Sequence, residues 1–165
     1  MNDIRELLVL SEIALNNARD NHDNVRYEDA EKEALNVIQM LEPYTDRNDL
    51  GHEKDNNSVL YKVFGAIAHA YNRLNSLELS RHNFHQSLVY AQAGIEISER
   101  IGNTLRLVHL YINTGDAYLH KSEYNLALDN YRIALEKNEI IHNKELLAKI
   151  TGQMGIAYKE LTDYT

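Results

Sequence analysis

The sequence predicts an all-α chain of antiparallel helix pairs stacked in a row, about seven helices in all. Three observations predict it. Residues 112–124, INTGDAYLHKSEY, return forty positions later as 152–164, GQMGIAYKELTDY, with Gly115 over Gly155, Ala117 over Ala157, Tyr118 over Tyr158, Glu123 over Asp163 and Tyr124 over Tyr164. A fixed period of roughly 20–50 residues marks a stack of supersecondary units rather than one closed core. Breakers are scarce, with 1 Pro and 7 Gly in 165 residues, as long helices require. Apolar residues recur at three- and four-residue spacing, the period of one helix face.

In chain order, Leu7, Leu8, Ser11, Ala14, Leu15 and Ala18 supply a first helix, and Tyr27, Ala30, Ala34 and Val37 a second, over residues 3–41. Residues 42–57, with Pro43, Gly51 and a run of Asn and Asp, read as a loop with turn chemistry. A loop of this length is either mobile or functional. In 58–101, Phe64, Ala68 and Tyr71 head one helix, and Phe84, Ser87, Ala91 and Gly94 follow on the next. In 104–141, Leu107, Val108, Leu110, Tyr111, Gly115, Tyr118 and Leu119 form one face. A polar break at 120–123 follows, and then Tyr124, Ala127, Leu128, Tyr131, Ala134 and Leu135 form a second face. So short a turn forces antiparallel packing. Gly115, Ala127 and Ala134 are the small residues expected where the pair crosses. In 144–165, Leu147, Ile150, Met154, Ala157 and Leu161 continue an apolar stripe, and the second helix of the unit is missing. Solenoids need polar end caps, so the expectation is the amino-terminal part of a longer protein.

The order Gly115, Tyr118, Tyr124, Ala127, Tyr131, Ala134 resembles the tetratricopeptide repeat, G-x-x-Y, a turn, then Y-x-x-A-x-x-x-F/Y-x-x-A, in its long form of about forty residues found in bacterial signalling proteins. Tyr111 stands where the family usually has Trp, and no Pro follows Ala134. By the same pattern Phe64, Ala68 and Tyr71 match Tyr111, Gly115 and Tyr118. The gap from Tyr71 to Phe84 then exceeds that from Tyr118 to Tyr124 by about two helical turns, to be absorbed as longer helices. The resemblance implies a right-handed superhelix whose first helices line a concave groove. With units counted from Tyr61, Val108 and Ala148, it implies groove positions at Lys62, His69, Asn72 and Arg73, at His109, Asn113, Asp116 and His120, and at Lys149, Gln153, Lys159 and Glu160. The family's chaperone-tail receptors use a Lys/Asn clamp. Gly65, Ile112 and Gly152 occupy one of its positions here, which speaks against a chaperone-tail ligand.

Composition excludes several classes. Net charge is −8, and residues 21–57 alone hold ten acids against four bases, so nucleic acid is a poor partner. No apolar run approaches the roughly 18 residues that span a bilayer, and MNDIRELLVLSE lacks the basic start of a signal peptide. Absence of Cys excludes disulfides and thiolate metal sites and fits a reducing, cytoplasmic setting. His82 and His85 share a helix start without a third ligand or H-E-x-x-H, so they read as surface histidines. There is no G-x-S-x-G and no phosphate-cradling glycine motif. Tyr118, Tyr124, Tyr131 and Tyr158 read as packing residues. The expected function is therefore a non-catalytic protein- or peptide-binding module without cofactor or metal, the interaction region of a bacterial signalling or regulatory protein. A peptide-pheromone receptor of the quorum-sensing kind and a scaffold that oligomerises through the incomplete last repeat are the alternatives.

Overall fold

A computed structural model describes residues 4–23 and 26–163, the side chains of 21–23 and 48 apart. Among them are seven α-helices and no strand: α1 (Ile4–Asp23), α2 (Tyr27–Leu41), α3 (Val59–Ser80), α4 (Phe84–Ile101), α5 (Thr104–His120), α6 (Tyr124–Ile141) and α7 (Lys144–Asp163). Tyr164, the last residue of the repeated stretch, lies outside the described residues.

The forty-residue period is carried by the punctuation as much as by the core. His82 and Ser122, forty apart, both take a left-handed backbone with φ of 61° and 59° in the turns after α3 and α5. Gly102 and His142, again forty apart, close α4 and α6 in the same region at 72° and 52°. Such residues end helices by satisfying carbonyls that have run out of partners. Asn103 and Asn143 then start α5 and α7. Their side-chain oxygens accept from the backbone N–H of Arg106 and Leu146, both at 3.0 Å, as N-caps do.

Each helix packs on the next in sequence, and a second set of contacts joins α1 to α3, α3 to α5, and α5 to α7. No comparable contact joins α2 to α4 or α4 to α6 among the described residues. The odd-numbered helices therefore crowd together while the even-numbered ones splay apart, which curves the stack around the odd-numbered face. The core follows the same logic. One cluster holds Leu7, Leu15, Val37, Leu41, Val63 and Leu74, and another holds Val108, Ile112, Leu128, Tyr131 and Ile150. Ile95, Leu107 and Leu110 join the units between them.

Small residues sit at the helix crossings as expected. A Cβ on Gly115 would lie 2.4 Å from the Tyr131 ring, and Ala127 and Ala134 are fully buried. Tyr131 is buried too, but Tyr158 is 44% exposed, its hydroxyl accepting from Arg132 of α6 at 3.3 Å. Its counterpart Tyr118 is covered by α6, where it joins the second core cluster.

The second unit departs from the sequence reading. Its turn, 81–83, has the length of 121–123, so no extra turns separate Tyr71 from Phe84 beyond the common pattern. The extra length of α3 lies at its start. Tyr71 therefore corresponds to Tyr111, and Asn75, not Ala68, corresponds to Gly115. Volume explains the disguise. Gly115 faces a Tyr at 131, whereas Asn75 belongs to a unit with Ala91 at the matching place, and the bulk has moved from one helix to the other.

Residues 42–57 form two short 3₁₀ turns, Glu42–Tyr44 and Asn48–Leu50. They are held against the stack: Leu50 packs on Leu60, Phe64 and Ile101, Arg100 pairs with Glu53, and the Ser58 hydroxyl donates to the His52 carbonyl at 2.6 Å.

Candidate groove site

The crowded face is lined by α1, α3, α5 and α7. At its amino-terminal end a cleft of about 380 Å³ opens between α1 and α3, with Leu8, Leu15 and Ala66 among its walls and Glu12, Lys62 and His69 beside them. Lys62 and His69, two of the expected groove residues, are thus brought together.

From His69 the face continues as a cluster of bases. Burial pushes the His69 imidazole down to about 3, helped by the charges of Arg106, Arg73 and His109. His109 is lowered by burial and then by Arg106, Lys149 and Arg73, with Glu145 acting the other way. Arg106 is pushed down to about 10, by burial first and by Arg73 second; it keeps its proton at neutral pH. Three helices, α3, α5 and α7, therefore aim bases at one place.

Arg106 was not among the residues expected there. Shifting by one period shows why it matters. The same position is Ala66 in α3 and Leu146 in α7, and Leu146 belongs to the core. In α5 it is an arginine whose Nε is buried and has no hydrogen-bond partner among the described residues. It also stands in the first turn of its helix, where no acid is present and the backbone's exposed N–H groups disfavour a cation. Its signal in the sequence was a charged residue at an apolar position of the repeat, visible only once the second unit is placed in register.

Other expected residues are engaged in joining the helices. Asn75 donates to the Ser87 carbonyl at 3.0 Å and its hydroxyl at 2.9 Å, and accepts from Asn113 at 2.8 Å. Asp116 accepts from the Tyr131 hydroxyl and from Gln153 Nε2, both at 2.7 Å, with Lys149 Nζ at 3.9 Å. Each constellation ties an odd-numbered helix to its own partner and to the next odd-numbered helix. The Tyr131 hydroxyl is held in its protonated form by burial and by the Asp116 charge. Asn113, Asp116 and Gln153 thus lie at the groove as packing residues.

Two expectations fall away from the cluster. His120 is exposed and stacks on Phe84 at 5.3 Å between ring centroids, across the inter-unit turns. Lys159 is exposed near the end of α7. Asn72, one turn on from His69, keeps a buried Oδ1 without a partner among the described residues. Among the described residues no group of three or more His, Asp or Glu is placed to hold a metal, and no helix is long and apolar enough to cross a membrane. No protein-family model matches the chain, and no curated protein matches its sequence.

Proposed function

We propose that the chain is a non-catalytic binding module of tetratricopeptide type, whose groove along α1, α3, α5 and α7 holds an extended segment of another polypeptide. The observation that carries this reading is the open α1–α3 cleft running into the base cluster through His69. Apolar walls would take a side chain, and the polar groups beyond would take backbone or charge. The forty-residue period supports a place in a bacterial signalling or regulatory protein, and the lack of Cys supports a cytoplasmic one.

The test is selection of peptides from a displayed random library on the purified chain, followed by calorimetric titration. Ala66→Trp fills the cleft with an indole, and binding should fall by about tenfold or more, since a buried side chain contributes roughly 1.5–3 kcal/mol. Peptides that bind Ala66→Trp as well as the parent would overturn the groove assignment.

A second reading, self-assembly, is favoured by a different observation. Leu147 is 42% exposed and Tyr158 44% exposed on α7, and Leu147 helps line a cleft of about 320 Å³ against Leu135 of α6. A second copy of the chain would cover this end.

A further inference from the structure

We propose that the groove selects an acidic polypeptide segment, seating a carboxylate on Arg106 with Arg73, His69, His109 and Lys149 around it. This deepens the reading given above and rests on it. The argument begins with cost. Burying a guanidinium away from water is unfavourable unless a partner restores what hydration gave. Arg106 is placed against that rule three times over. It occupies a position that its own repeat makes apolar in the neighbouring units, Ala66 and Leu146. The charge acting on it is another cation, Arg73. It lies at the positive end of α5. The buried Nε confirms that nothing within the described residues takes up that donor.

The surroundings fit an anion rather than a neutral ligand. Bases from α3, α5 and α7 act on His69, Arg106 and His109 there. Asp116 is occupied by Tyr131 and Gln153, and Glu145 acts on His109 alone among the cluster's histidines. The chain as a whole is acidic, at −8, so the cluster is a local inversion of sign, which focuses attraction on a small anionic group. A carboxylate would accept the Arg106 donors in the planar fork that guanidinium offers.

Two features favour a polypeptide over a nucleic acid. The cleft next to the bases has Leu8, Leu15 and Ala66 in its walls, suited to an aliphatic or aromatic side chain a few residues from the acid. Asn72 Oδ1, buried and unpartnered one turn from His69, can accept a backbone N–H.

The experiment selects peptides from a random display library on the full chain and, in parallel, on Arg106→Leu, with a random RNA pool as a third arm. The parent should enrich peptides rich in Asp and Glu beside an apolar residue. Those peptides should bind Arg106→Leu at least about tenfold more weakly, the loss expected for one hydrogen bond to a charged group, and more weakly at raised salt. The same variant should melt no lower than the parent, because Leu is what the repeat carries at 146; a merely structural arginine would lower the melting temperature instead. Should Arg106→Leu fail to fold, Arg73→Gln with Lys149→Gln replaces it in the binding arm. Peptides without acidic enrichment, or equal binding by the variant, overturn this inference and leave the groove reading standing. Recovery of no peptide overturns the groove reading itself. Selection of RNA in preference to peptide overturns the choice of ligand.

Discussion

Arg106 and Leu146 hold one place in successive helices and meet opposite needs. Leu146 is 7% exposed and closes the core between α6 and α7, while Arg106 is half-buried there and carries a charge whose Nε is covered. The histidines beside it make this measurable without any ligand. His69 is held near 3, against an ordinary imidazole value of 6.5, by burial and then by Arg106, Arg73 and His109; His109 is lowered in the same direction, with Glu145 opposing. Below 6.5 the unfolded chain takes up protons that the folded chain refuses until about 3. Stability is therefore whole above 6.5 and lost progressively as the pH falls through that window. The slope from His69 reaches at most about 1.4 kcal/mol per pH unit. Urea denaturation of parent and His69→Gln at a series of pH values should show a shallower acid decline for the variant. Equal slopes would mean that His69 is not sheltered in its neutral form.

At the scale of the helix pair, the α5–α6 crossing depends on Gly115. A methyl added there would sit 2.4 to 2.8 Å from three atoms of the Tyr131 ring. That ring cannot swing aside freely, because its hydroxyl is bonded to Asp116. Gly115→Ala should therefore destabilise the chain by about 1–3 kcal/mol despite improving helix propensity, read as a lower denaturation midpoint; a neutral or stabilising result would refute the close approach. Gly155, forty residues on, has nothing within 4 Å of such a methyl, so Gly155→Ala is its control. The contrast shows what was legible in the sequence. Gly115, Tyr131 and the alanines of α6 announced a crossing directly, since small and large residues alternate in the repeat's own order. Lys62, His69 and Arg73 were counted from Tyr61, seven residues from the start that the corrected register gives, and they keep a common face because seven residues are about two turns. What was hidden was any place where the repeat conserves volume instead of identity. Asn75 with Ala91 fills the space of Gly115 with Tyr131, and this concealed the register of α3. With it were concealed the Asn75–Ser87–Asn113 bonds and the apolar rule that Arg106 breaks. Whether a polar groove residue is free or tied down was not legible either, because Asp116 meets Tyr131 and Gln153 only through packing.

For the molecule as a whole, a row of helix pairs has neighbours along its length and two ends. At the α7 end, Leu147 and Tyr158 lie eleven residues apart, about three turns, and so on one side of the helix. Both are exposed, and Ile140 of α6 is 70% exposed. At the other end Val9 and Ile13 of α1 are 58% and 51% exposed. Single exposed apolar residues are ordinary, but contiguous ones mark an interaction surface. The Tyr131–Gly115 crossing shows how α5 is covered by its partner; Gly155 on α7 has nothing within 4 Å of an added methyl among the described residues, and Tyr158 is met at its hydroxyl by Arg132 of α6. If a second copy supplies that cover, the purified chain will self-associate with rising concentration, and sedimentation velocity will resolve a larger species. Leu147→Lys with Tyr158→Ser places charge and polarity on the same side without touching the groove bases. That pair should return the chain to a monomer with unchanged helical circular dichroism. A parent that stays monomeric at every concentration would remove the assembly reading, and it would leave the groove, built from other helix faces, untouched.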